Sequence, residues 1–238
     1  MVDGAIGMAY GVISNSFLIL YGVPPVNASA YLHASEIFTT GASGLSHLRL
    51  KNVDKSLLKK MIIPGVVGGA LGAYVLTTLN SDILKLAVSM YLIGMGSFII
   101  YRAIKEKISN DINMATKTIV PLCAVGGCLD AIGGGGWGPV VTSTMVAKGN
   151  DVKKTIGTVN LTEFFVTLSE TFMFLILFVK IDIILVMSML IGGVIAAPLA
   201  AYTCKKFPLK PLMVFIGALV IFLNVRNIFR FLEGPFLF

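Results

Sequence analysis

Long apolar stretches alternate with short basic segments along almost the whole chain. Apolar runs lie near residues 27–46, 57–79, 83–101, 155–179, 183–204 and 210–230, with two further apolar segments at 1–22 and 118–147. A helix needs about 20 residues to cross a hydrocarbon core of about 30 Å, so each of the six longer runs predicts a transmembrane helix. Alternating ten-residue segments between turns are absent, which argues against an outer-membrane barrel. Two of the runs carry polar residues at helical spacing. Ser29, His33, Glu36, Thr40 and Ser43 recur every three or four positions in the first, and Asn160, Glu163, Thr167 and Glu170 do so in the fourth. Residues three and four apart share a helix face, so each run predicts one polar stripe on an apolar helix.

The two stripes belong to a repeat. Asp130-Ala-Ile-Gly-Gly-Gly-Gly-Trp-Gly138 aligns on Asp3-Gly-Ala-Ile-Gly-Met-Ala-Tyr-Gly11 at an offset of 127. At that offset Ser16 meets Ser143, Gly22 meets Gly149, Glu36 meets Glu163, Phe38 meets Phe165 and Thr40 meets Thr167. Eight identities fall within residues 3–40, where roughly two or three are expected by chance. A second likeness, at an offset of 128, relates Gly65–Tyr74 to Gly193–Tyr202. Its small residues let helices approach closely in lipid, so it reads as a helix interface. A duplicated hydrophobic unit with a glycine-rich break in each copy is a signature of secondary transporters.

Composition agrees. Hydrophobic residues make up 56% of the 238 and charged residues 13%, with mean hydropathy +0.88, outside the usual globular range. The first twenty residues lack a basic n-region and a small-residue cleavage site, so they do not read as a cleaved signal peptide. The net charge of +7 comes from clusters between apolar segments, where the positive-inside bias puts them, and implies no nucleic-acid partner. Cys123, Cys128 and Cys204 form no CxxC pair and read as small packing residues.

The basic clusters decide the topology. If all eight apolar segments crossed, twelve Lys and Arg would face the cytoplasm and seven the outside. If 118–147 instead enters, breaks at Gly133–Gly138 and returns to the same side, the division becomes fifteen and four. Pro139 after the glycine run favours that break. The re-entrant arrangement also inverts the second repeat relative to the first. In the first repeat, the arm equivalent to 118–129 would align upstream of Met1, so either it is absent or the natural start lies further upstream. The expected fold is an all-α integral membrane protein, a single transport domain over 1–238. It comprises two inverted repeats, 1–105 and 114–230, each a broken or re-entrant glycine-rich element plus three transmembrane helices.

Ionisable groups at bilayer depth almost always face a bundle interior or a watery cavity. Glu36 and Glu163, related by the repeat, are expected near a pseudo-two-fold axis as proton-coupling candidates; inter-helix hydrogen bonding is the plainer alternative. Glu170, nearer the outer end of its helix, reads equally as packing. His33 and Asn160 stand as donors one turn before each glutamate, with Thr40 and Thr167 in support. Backbone N–H groups at a glycine break can converge on an anion, which assigns substrate contacts to Gly133, Gly134, Gly135, Gly136, Trp137 and Gly138. Tyr10 is the counterpart of Trp137. Asp130 is expected to cap exposed N–H groups at the break. The run lacks the GK[ST] ending of a P-loop and the setting of a Rossmann fingerprint.

These residues carry a resemblance. Gly22-Val-Pro-Pro25, His33-x-x-Glu36, Phe38-Thr-Thr-Gly41 and Gly44-Leu-Ser-His-Leu-Arg49 with Asn52-Val-Asp54 resemble the first half of the sulfite exporter TauE/SafE family. Asp130–Pro139, Thr155-Ile-Gly-x-Val-Asn160 and Glu163-Phe-Phe resemble its second half. The resemblance implies a multi-pass permease of the prokaryotic inner membrane for sulfite or an organosulfonate. Its expected partners are that small anion, the lipid bilayer, protons and, in an oligomer, further copies of the chain. No cofactor or metal is expected. A passive anion channel is the alternative. A membrane-embedded enzyme is less favoured, because no HExxH, GxSxG or clustered His/Cys ligands occur.

Overall fold

A computed structural model describes residues 10–79, 81–105, 116–148, 150–193 and 209–232, with no strand among them. The apolar runs form α1 (Tyr10–Leu20), α2 (Pro25–Arg49), α3 (Lys55–Thr78), α4 (Ser81–Lys105) and α5 (Thr116–Gly133). A π-helical turn (Gly136–Thr142) continues into α6 (Ser143–Ala147), followed by α7 (Val152–Ile176), α8 (Ile183–Gly193) and α9 (Leu209–Leu232). Asp54 Oδ1 caps α3 by accepting from Ser56 N at 2.8 Å and Leu57 N at 3.1 Å. Asp151 Oδ1 caps α7 through Lys154 N at 2.8 Å. Asp182 Oδ1 caps α8 through Ile184 N at 2.9 Å. Each cap satisfies donors that a helix start leaves unpaired.

Among the described residues, four helical stretches are long and apolar enough to cross a bilayer: Lys55–Thr78, Ile83–Lys105, Lys153–Ile176 and Met213–Phe231. The sequence predicts six. Helix α2 is equally long, but its histidines, glutamate and hydroxyls lower its hydropathy, and Ser29, His33, Ser35, Glu36 and Thr40 among them are buried. Of run 183–204, the part after Gly193 lies outside the described residues, as do residues 1–9 with Asp3 and Gly7.

Apolar side chains do not drive helices together in lipid, so small residues set the packing. A side chain on Gly68 would run into Ala124 O, and one at Gly72 would come within 2.5 Å of Cys128 O. Numbers rise together along this seam, so α3 and α5 run parallel. Gly96 and Gly217 likewise let α4 and α9 touch, each an added Cβ at 2.7 and 2.5 Å from the other's carbonyl oxygen. In contrast, Gly44 lies on Leu161 and Gly41 on Phe164. One number falls as the other rises, so α2 and α7 cross antiparallel.

Segment 118–147 folds back on itself. The break is narrower than the glycine run: α5 continues through Gly133, Gly134 takes φ +69°, and helical winding resumes at Gly136. Gly136 packs on Gly126, whose own Cβ position is met by Val141. Ile119 and Cys123 share an apolar cluster with Val141 and Met145. Both ends of the hairpin therefore lie together. Arg102 Nη2 donates to Thr144 Oγ1 at 3.1 Å, Asp54 N donates to Thr158 Oγ1 at 2.9 Å, and Gly157 sits on Asn52 O. These contacts gather the basic segments 49–60, 102–105 and 148–154 at one end of the bundle. The parallel α5 brings Lys117 there; Gly96 meets Ile221 while Gly217 meets Ile100, so α9 runs antiparallel to α4 and brings Lys210. Lys85, Lys180, Arg226 and Arg230 lie at the other end, where Arg230 Nη1 donates to Leu20 O at 2.9 Å. Lys107, Lys205 and Lys206 lie outside the described residues.

Candidate functional site

The antiparallel crossing of α2 and α7 brings their polar stripes together against the glycine break. Glu36 stands near the middle of a 25-residue helix, roughly 17–20 Å from either end at 1.5 Å per residue. His33 Nδ1 lies 3.0 Å from Glu36 Oε2 and 3.1 Å from Glu170 Oε2. His33 Nε2 lies 3.1 Å from the main-chain oxygen of Asp130. Both His33 and Glu170 are fully buried, and Glu36 and Asp130 nearly so. One donor atom from each of His33, Glu36 and Asp130 falls within 4.8 Å of the others. Ser29 Oγ donates to Ala131 O, tying α2 to the end of α5. The fully buried Phe174 ring lies nearly parallel to the imidazole, 6.4 Å away. Four ionisable groups from three elements thus share a buried interior, where an unpaired charge is costly.

Asp130 also makes the cap at the break. Its Oδ1 accepts from Gly136 N at 2.9 Å and Trp137 N at 3.3 Å. Gly133, Gly134, Gly135, Gly136, Trp137 and Gly138 are all buried. The glycines are required by contact: an added Cβ at Gly135 would lie 2.7 Å from Tyr91 Oη, and one at Gly133 2.6 Å from the same ring. Tyr91 Oη in turn donates to Leu129 O at 3.0 Å. Gly11 of α1 meets Gly134 backbone to backbone, so the second half of the first repeat motif touches the break of the second.

Other residues singled out in the sequence lie apart from this cluster or are held by their own helices. Trp137 packs in an apolar cluster with Met61, Val141 and Val166, its ring over Gly65, and its Nε1 has no acceptor. Asn160 Nδ2 donates to Ile156 O at 2.9 Å. Thr40 Oγ1 donates to Glu36 O at 2.6 Å and Thr167 Oγ1 to Phe164 O at 3.2 Å. Tyr10 Oη lies 3.4 Å from Ser35 Oγ and donates to Met189 O at 3.5 Å. Glu163 is half-buried on α7, one and two turns from Thr167 and Glu170.

Three residues gain importance only from the fold. Glu170 was visible as the last member of its stripe, but nothing in the sequence pairs it with His33. Tyr91 lies within an apolar run without a polar periodicity. Asn15 is fully buried with neither Nδ2 nor Oδ1 bonded, and its one signal was its place between two repeat-conserved positions.

The family model described as "Sulfite exporter TauE/SafE" matches residues 1–227. The chain belongs to the TauE/SafE family. It is 39% identical to the "Probable membrane transporter protein YtnM" of Bacillus subtilis (strain 168), over 96% of this chain and 78% of that protein. No solved structure matches. This TauE/SafE protein is therefore a multi-pass membrane protein of a transporter family, and its dense apolar exterior is the surface presented to lipid. Ile63, Phe172 and Phe222 are each about two-thirds exposed on spanning helices.

Proposed function

We propose that the chain is a secondary transporter moving a small sulfur-containing anion, of the sulfite or organosulfonate class, across a prokaryotic inner membrane. It works by alternating access between two inverted halves, 1–105 and 114–230. The family supports the class of cargo. The antiparallel crossing of α2 and α7 and the contact of Gly11 with Gly134 support the inverted halves.

The observation that carries the reading is a set of buried donors without acceptors, one of them within the break. Trp137 Nε1 is completely enclosed and unbonded, as are Asn15 Nδ2 and Thr171 Oγ1. Leaving such a group unsatisfied costs about 1–3 kcal/mol. An oxyanion rich in acceptors would relieve that cost, and glycine main chain lets it approach. The anion is bound at Gly133–Gly138 and Trp137, with Tyr10, His33 and Asn160 completing its surroundings as the halves move. Glu36 and Glu163 are the candidates for carrying protons. A monovalent anion leaving a negative interior gains about 2.3 kcal/mol per 100 mV, so export needs no coupling ion and uptake does.

Purified protein in liposomes should show saturable, counter-flow-stimulated uptake of sulfite or ethanesulfonate. Trp137→Phe keeps most of the ring volume and removes the donor; it should raise the half-saturating concentration about tenfold, the equivalent of about 1.4 kcal/mol. Wild-type flux no greater than that of empty liposomes, for both anions, would refute transport. An unchanged half-saturating concentration in Trp137→Phe would refute the site.

A further inference from the structure

We infer that the proton-coupling site of this transporter is one-sided: a single proton is shared among His33, Glu36 and Glu170, where α2 of one half meets α7 of the other. This rests on the transport reading above and replaces its repeat-related glutamate pair with an unrelated one.

The argument starts from the ring tautomer. His33 Nε2 lies 3.1 Å from Asp130 O. A carbonyl oxygen only accepts, so Nε2 must carry the hydrogen. In a neutral ring, Nδ1 then presents a lone pair to Glu36 Oε2 at 3.0 Å, with Glu170 Oε2 3.1 Å away and not hydrogen-bonded to it. Two ionised carboxylates and a lone pair cannot share that space. At least one proton beyond the neutral-imidazole, doubly ionised state must therefore lie among the three groups. It resides on Nδ1, giving an imidazolium between two carboxylates, or on a glutamic acid donating to Nδ1.

The seat is built for this. Glu170 is fully buried, neither of its carboxylate oxygens has a hydrogen-bond partner, and α3 faces it with Gly69, where a Cβ would lie 2.6 Å from Oε1. Other titratable groups surround it: Asp130 and Cys128 on α5 and Glu163 on α7 itself; Tyr91 on α4 lies beside Asp130 and Cys128 and donates to Leu129 O. The Asp130 carboxylate is engaged with Gly136 N and Trp137 N.

The repeat register makes the site unsymmetrical. At an offset of 127, His33 corresponds to Asn160, Glu36 to Glu163 and Glu170 to Ser43. The counterpart set keeps one titratable group of three, and its Asn160 amide is bonded within its own helix. The proton enters from water on one side, forms an N–H or O–H bond in the triad, and leaves to water on the other. No other bond changes. Because the triad spans both halves, its protonation acts on the interface that alternating access must open.

Two measurements test this. Ethanesulfonate uptake at zero potential, driven by a one-unit inward acid gradient, should reach about tenfold accumulation, since one pH unit is 1.36 kcal/mol. Glu36→Gln and Glu170→Gln should abolish the accumulation while leaving exchange at equal pH, whereas Glu163→Gln should still respond to the gradient. Independently of transport, the chain has two histidines, so nitrogen-15 labelling with His47→Gln leaves His33 as a single pair of ring signals. Expected are a protonated Nε2 and a strongly hydrogen-bonded Nδ1 whose shift moves in Glu170→Gln. A bare Nδ1 unaffected by Glu170→Gln, accumulation that follows sodium rather than pH, or equal loss in Glu163→Gln and Glu170→Gln would overturn the inference. Absence of any anion flux alongside the expected nitrogen signals would refute the transport reading and leave the proton site standing.

Discussion

At the scale of single residues, Asp130 does two jobs that the sequence shows separately. Its side chain caps Gly136 and Trp137, and its main-chain oxygen orients His33. Asp130→Ala should leave two buried N–H groups unpaired at about 1–3 kcal/mol each, lowering the thermal midpoint in detergent by several degrees. Asp130→Asn retains an acceptor oxygen and should recover most of that loss in the same assay. The stripe containing His33 and Glu36 was legible because period-3.6 spacing needs only one helix. The link to Glu170 was not, because it depends on how two helices cross.

Glycine acts at the scale of elements. Where a Cβ would strike a neighbour's main chain, as at Gly68 against Ala124, no side-chain adjustment can make room. Gly68→Val should therefore prise α3 from α5 and abolish monodisperse protein in detergent size-exclusion chromatography. Gly94→Ala faces open space and should behave as wild type, with a change of less than about 0.5 kcal/mol. Such close approaches were anticipated by residue size alone at Gly65–Gly72. Which helix each glycine accepts was not, since any small face fits many partners. The break illustrates the same division. Six residues were expected to lie outside helix, yet only Gly134 and Gly135 do, because Gly136 and the residues after it resume helical winding once Asp130 has capped their N–H groups.

For the whole molecule, the hairpin of α5 and α6 determines where charge goes. Single cysteines in a background lacking Cys123, Cys128 and Cys204, placed at Lys55, Lys117, Lys148 and Lys153, should all react with a membrane-impermeant thiol reagent from one side only. Cysteines at Lys85 and Lys180 should react from the other. Opposite labelling of Lys117 and Lys148 would show that the segment crosses. The sequence by itself determined the membrane class, the helical runs and the duplicated motif, because these follow from hydropathy, period and counting. Tertiary structure alone decided that Glu170 lies against His33 and Glu36. An antiparallel crossing pairs positions whose numbers sum to a constant, and a one-dimensional pattern has no means of stating that constant.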